Sequence, residues 1–152
     1  MKIDGVTHWS IPVHDLAESE RFYGHVLGLD LKGRLGGSSM SCVTAGDNSI
    51  LLCETKGLTP AGPEEVRWDG AGAHHSFHMS AGEWERGVRT LAAHKTPILD
   101  LVYREGGFFP GREVYFLDPS GNVLELRDPS WKPGMARPTL SEILEGGPTP
   151  AR

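Results

Sequence analysis

Cysteine is nearly absent: two of 152 residues. Cys42 and Cys53 stand in apolar surroundings without C-x-x-C spacing. That excludes a disulfide framework, and the pair reads as reduced core thiols of a cytoplasmic protein. Basic charge is also short, with 15 Lys and Arg against 20 Asp and Glu and a formal net charge of −5. No basic stripe is present, which argues against a nucleic-acid partner. No apolar run approaches the 18 or so residues of a membrane span. The start, Met1-Lys2-Ile3-Asp4-Gly5, lacks the apolar stretch of a signal peptide. What remains is material for one ordinary domain, 38% hydrophobic and 23% charged. It carries 20 Gly and 11 Pro without a G-x-y period, so strands joined by short turns are expected. Seven His are a mild excess, and their placement becomes the question.

The chain reads as one unit written twice. In Thr7-His8-Trp9-Ser10-Ile11-Pro12-Val13, apolar Trp9, Ile11 and Val13 alternate with the rest, the period of a half-buried strand. Asp15 opens a helix with Glu18 as capping-box partner, an apolar stripe of Leu16, Phe22, Tyr23, Val26 and Leu27, and Gly28 as its stop. A Gly-rich turn (Gly33, Gly36, Gly37) leads to strands at 38–45 and 49–55, and residues 57–72 read as a linker. The order then repeats. His75, Phe77 and Met79 take one face of a strand and His74, Ser76 and His78 the other. Ser80 is the expected cap of a second helix, with Glu83 as its box partner, a stripe of Trp84, Val88, Leu91 and Ala92, and Pro97 past its end. Strands follow at 98–104, 113–117 and 122–127. The repeat is explicit where His8-x-x-Ile11-x-Val13 matches His74-x-x-Phe77-x-Met79.

The fold class expected is therefore α+β, with two tandem βαβββ modules (5–56 and 72–127) forming a curved mixed sheet around a metal-binding cleft. Residues 128–152 follow as a Pro-rich arm, with a short capped helix at 139–144, that reads as packing on a partner chain.

A strand face that is polar at every second residue meets water or lines a site. His8 shares its face with Ser10, and His74 with Ser76 and His78. Leu124 and Leu126 are core positions, so Glu125 between them points the other way. If the modules are related by a pseudo-twofold, His8 and His74 are equivalent and Glu125 reaches the same cleft. Two imidazoles and one carboxylate form a facial triad that leaves metal positions open. Fe(II) is its commonest client, and Mn(II), Ni(II), Co(II) and Zn(II) also suit these ligands.

Three stretches carry a family resemblance. They are His8-x-x-Ile11-x-Val13-x-Asp15-Leu16 with Phe22-Tyr23-x-x-Val26-Leu27-Gly28-Leu29, His74-x-x-Phe77, and Tyr115-Phe116-Leu117-Asp118-Pro119-Ser120-Gly121-Asn122-Val123-Leu124-Glu125-Leu126. Across residues 6–127 the chain resembles the vicinal oxygen chelate superfamily of glyoxalase I, fosfomycin- and bleomycin-resistance proteins and extradiol dioxygenases. The resemblance implies a single domain over 1–127, one divalent metal on His8, His74 and Glu125, a small-molecule substrate, and a homodimer whose sites draw on both chains. Glyoxalase I adds a carboxylate on the last strand of module one. Aligning that strand with the Glu125 strand puts Leu51 at the ligand position and turns Glu54 to the opposite face, which disfavours that activity.

Among the remaining activities, the resemblance to extradiol dioxygenases is fullest from Val114 to Glu125. It implies an oxidoreductase acting on a catechol-like substrate, with Tyr115 hydrogen-bonding the substrate. The His that normally precedes this motif is missing from Gly106-Gly107-Phe108-Phe109-Pro110. His78, on the site face, is the candidate substitute acid–base group. A fosfomycin-type thiol transferase is the alternative, resembled at Gly111–Phe116, with Ser10 where a small hydroxyl is wanted. It needs cations for a phosphonate, and Arg104, Arg112, Arg127 and Lys132 are the candidates. A non-catalytic drug-binding protein of the bleomycin-resistance type is the third reading, disfavoured by the intact ligand set.

Overall fold

The computed structural model describes residues 1–2, 4–66, 68, 70 and 72–146. Residues 147–152, the end of the expected arm, lie outside the described residues, as do positions 67, 69 and 71 of the linker. The chain divides into two compact units, Met1–Ala61 with Pro119–Asn122, and Gly62–Asp118 with Val123–Arg152.

The first unit opens with β1 (His8–Val13), whose Ile11 and Val13 are fully buried, as their alternation demands. Helix α1 (Leu16–Arg21) starts at Asp15, whose Oδ1 accepts from Glu18 N at 2.8 Å. The Glu18 carboxylate does not return to complete a box. It pairs instead with His14 Nε2 at 3.0 Å. The helix then widens into a π-helical turn over Phe22–Val26, and Gly28, at φ 70°, ends it. Strands β2 (Asp30–Arg34), β3 (Met40–Ala45) and β4 (Asn48–Glu54) complete a sheet in the order β1-β4-β3-β2. Strand β2 corrects the expectation of a turn at Gly33. The segment is polar and four of its five residues are exposed, so it carries no hydrophobic period. Gly33, at φ 106°, follows a register shift in the β2–β3 pairing. Cys42 and Cys53 are free thiols.

The second unit repeats this topology with β5 (His75–His78), β6 (Ile98–Arg104), β7 (Gly111–Leu117) and β8 (Val123–Asp128) in the order β5-β8-β7-β6. In both sheets the first and last strands run parallel and the other pairs antiparallel. Helix α2 (Ala81–Ala93) buries Trp84, Val88 and Leu91, and Val114, Phe116, Leu124 and Leu126 are among the buried apolar side chains of the sheet. Trp84 Nε1 donates to the Leu126 carbonyl at 2.8 Å, so the largest core ring is also hydrogen-bonded. Ser80 occupies the N-cap position, yet its side chain makes no capping bond, and the expected partner Glu83 pairs with Arg86 instead.

The arm after residue 128 folds onto its own unit. Trp131 is 2% exposed, stacks near Tyr103 with centroids 5.1 Å apart, and donates to Ala136 O. Tyr103 donates to Pro138 O at 2.6 Å. The short helix α3 (Leu140–Glu145) begins with a complete Thr139/Glu142 capping box and buries Ile143. Among the described residues no helix is long and apolar enough to cross a membrane.

Candidate functional site

The second unit holds an open cavity of about 560 Å³ on the face of its sheet opposite α2. Strand register explains its lining. Ser76 on β5, Glu125 on β8 and Tyr115 on β7 stand in one cross-strand row. His78, Arg127 and Glu113 form the next row. All six line the cavity, with His74, Arg104 and the Gly106–Phe109 loop closing its sides. Side chains two apart on a strand share a face, so the alternation that buries Leu124 and Leu126 delivers Glu125 and Arg127 to the cavity.

His74 lies just before β5, with Nδ1 2.8 Å from the Gly72 carbonyl. A carbonyl only accepts, so Nδ1 carries the proton and Nε2 is the nitrogen left to bind. Nε2 stands 3.0 Å from Glu125 Oε2. Glu125 is 4% exposed. Burial, then the charge of Glu113, push its carboxyl above the ordinary range, against a Ser76 hydrogen bond and the charges of His74 and Arg127. A bare imidazole nitrogen and a carboxylate oxygen are both acceptors. Their contact is favourable only with a cation between them, either a proton or a metal ion. The Nδ1–carbonyl bond is the outer support usual for a metal-binding His. The donor set thus fits a divalent ion, which His74 and Glu125 could hold between them.

His8 is carried by the first unit, where it is exposed on β1 and is not among the residues of this cavity. Among the described residues no three His, Cys, Asp or Glu side chains gather closely enough to hold an ion. The registers of the two sheets are nonetheless equivalent. Ser10, two residues after His8, pairs with Leu51, and Ser76, two after His74, pairs with Glu125. Leu51 therefore occupies the position equivalent to Glu125. Glu54 accepts from Leu16 N at 3.2 Å, at the start of α1.

Tyr115 is 2% exposed, edge-on to the His74 ring with centroids 5.6 Å apart, and Trp68 stacks against it at 4.4 Å. Its hydroxyl donates to Glu113 Oε2 at 2.9 Å. Burial, the Glu113 hydrogen bond and the charge of Glu125 push this phenol far above its usual range, so it stays protonated at neutral pH. His78 is exposed at the cavity wall, directly across from Arg127. Arg112 and Lys132 are not cavity residues. Arg112 is bound to Asp128 and Glu85 and lies 4.4 Å over the Trp84 ring.

Sequence reasoning missed Glu113 as a site residue, while Arg104, a candidate cation for a phosphonate, does line the cavity. Glu113 is 1% exposed and clamped by Arg104 through contacts of 3.0 to 3.2 Å. The available signal was Glu113 two residues before Tyr115, hence on the same face.

Each unit thus carries a four-stranded mixed sheet with a helix after its first strand, and the second adds a His–Glu pair on its cavity face. A sequence model of the Glyoxalase/Bleomycin resistance protein/Dioxygenase superfamily matches residues 5–126, and the chain belongs to that superfamily. Among curated relatives, it is 27% identical over 124 residues to the glutathione transferase FosA of Serratia marcescens, covering 82% of this chain and 80% of that protein. Among solved structures, a glyoxalase/dioxygenase from Nostoc punctiforme has a TM-score of 0.66 at 24% identity, covering 82% of this chain and 90% of the other. The fosfomycin resistance protein FosX of Listeria monocytogenes has a TM-score of 0.65 at 19% identity, covering 83% and 92%.

Proposed function

We propose that the protein is a metal-dependent enzyme that holds a small substrate through two adjacent oxygens, with extradiol-dioxygenase-like chemistry on a catechol-like molecule. The observation that carries this reading is the His74–Glu125 contact at 3.0 Å, with Nδ1 already engaged, on the floor of a cavity. His74 and Glu125 hold the ion, and His8, from module one of the same or a second chain, supplies the third ligand. A homodimer with shared sites belongs to this reading. Fe(II) is the metal proposed, with Mn(II), Ni(II), Co(II) and Zn(II) as alternatives. When bound, the ion supplies positive charge that lowers the cost of negative charge building on substrate oxygens.

The chain's own residues account for the rest. Tyr115 offers its hydroxyl oxygen beside the ligand pair. Ser76 holds Glu125 in place. His78, exposed at the wall, is the group able to accept or return a proton. Phe108 and Phe109 give the rim an apolar surface suited to a ring. The test is anaerobic Fe(II) loading followed by a catechol panel with O2 uptake. Ring cleavage supports the reading. No uptake with any catechol by the Fe(II)-loaded protein contradicts it.

A second reading, a fosfomycin-type thiol transferase, is favoured by the similarity to the Serratia glutathione transferase. Against it, Glu113 offsets the charge of Arg104 and Arg127, the cations of this cavity. Mn(II)-loaded protein incubated with fosfomycin and glutathione separates the two, since only a transferase forms the adduct.

A further inference from the structure

Beside the His74–Glu125 pair, the same face carries a second polar cluster of Glu113, Arg104, Arg127 and Tyr115. Glu113 sits in the middle of β7, a strand buried at every position. A carboxylate persists there only if its charge and lone pairs are met. Arg104 meets them as a fork, with Nε 3.1 and 3.2 Å from the two oxygens and Nη2 3.0 Å from Oε2. Arg127 Nε stands 3.5 Å from Oε1.

The remaining bond has a direction. Paired with Arg104, Glu113 is an acceptor, so the Tyr115 hydroxyl must donate to it across their 2.9 Å contact. The Tyr115 proton is thereby committed. Arg104 Nη2 lies 3.5 Å from the phenol oxygen and takes at most one lone pair. What Tyr115 retains for a ligand is a lone pair, on a ring edge-on to His74 and directly across from Glu125. A tyrosine with a free proton would greet an oxyanion, whereas this one greets a hydrogen-bond donor. The Glu113 charge adds to the bias, because it offsets two guanidinium groups that would otherwise attract a dianion.

We propose that Glu113 is a positioning residue that fixes Tyr115 as an acceptor, so that the site selects a substrate keeping a hydroxyl proton beside its chelating oxygens over a phosphonate-type dianion. This rests on the proposed metal pair for the selectivity, but not for the Glu113–Tyr115 geometry.

The test compares native protein, Glu113→Gln, Tyr115→Phe and the double variant. All are loaded with redox-inert Zn(II), and the affinities for catechol and for phenylphosphonate are measured by calorimetry. Each single change should weaken catechol binding about tenfold, the worth of one hydrogen bond to a charged network. The double variant should bind catechol no more weakly than Tyr115→Phe, because Glu113 acts through Tyr115. Phenylphosphonate should bind Glu113→Gln as well as native protein, or more tightly. A merely structural Glu113 would leave the catechol affinity of Glu113→Gln at the native value, or give losses that add in full, and either result overturns the proposal.

A metal-free measurement guards against a variant that fails to fold. The native Tyr115 hydroxyl proton should be visible by proton NMR as a slowly exchanging signal, absent in Tyr115→Phe. Its absence from native protein overturns the proposal without any Glu113 variant. A chain that holds no metal sinks the proposed function and the selectivity together, while the hydroxyl proton still reports whether Glu113 fixes Tyr115.

Discussion

His74 Nε2 and Glu125 Oε2 face each other at 3.0 Å, although the bond from Nδ1 to Gly72 makes Nε2 an acceptor like the carboxylate. In the absence of metal, a proton must bridge them, and the buried carboxyl of Glu125 is held above its ordinary range by burial and Glu113. Glu125→Gln removes a charge that burial and the neighbouring Glu113 both disfavour. Metal-free Glu125→Gln is therefore expected to melt at or above the native apoprotein at pH 7, by up to about 1–2 kcal/mol in stability. Calorimetric melting of both apoproteins checks this, and a large loss of stability would contradict it.

Asp128 behaves in the opposite sense. Burial alone would raise its carboxyl, but bonds from Ser130 and Arg112 outweigh burial and hold it below the ordinary range. A carboxyl lowered in the folded state contributes stability above its unfolded value of about 3.9, and loses it as pH falls through the folded value. Urea melts of native protein should thus weaken below about pH 4, and Asp128→Asn should weaken less over that window. At pH 7 Asp128→Asn should cost about 1–3 kcal/mol, because it takes one of the two carboxylate partners of buried Arg112 and leaves Glu85 as the other.

The arm is predicted to be structural. Trp131→Ala should cost about 3–5 kcal/mol, the usual penalty for emptying a buried large ring. Equilibrium denaturation checks it, and a cost below about 1 kcal/mol would mean that Trp131 packs poorly in solution.

The turn at Gly121 admits no side chain. Its φ is 83°, and a Cβ would lie 2.6 Å from Ala61 O and 2.7 Å from Ala61 N. Gly121→Ala should destabilise by about 2 kcal/mol or more, with lowered thermal midpoint as the readout.

Much of this was legible in the sequence because alternation has one meaning on a strand. Leu124 and Leu126 inward force Glu125 outward, and the matching of His8 with His74 exposes the repeat. The same parity turned Glu54 to the opposite face from Leu51, and the register pairs Leu51 with Ser10 as it pairs Glu125 with Ser76. Strand β2 was hidden because an exposed edge strand of Asp30-Leu31-Lys32-Gly33-Arg34 buries too little to carry a period. Glu113 was hidden for the converse reason. With β7 buried on both faces, no alternation separates its site face from its core face, and the partner that makes a buried carboxylate intelligible, Arg104, is on another strand. The contacts of the arm were not legible because Pro-rich composition says nothing of where Trp131 docks.

The proposed metal ion rests on His74 and Glu125. The most direct test is the metal content of native, His74→Ala and Glu125→Gln protein after loading with excess divalent ion and desalting, measured by elemental analysis. The account predicts about one ion per native chain and a loss of at least about tenfold in either variant, with the folded circular dichroism spectrum kept. A native chain that retains no ion, or a Glu125→Gln chain that retains as much as the native one, would contradict it.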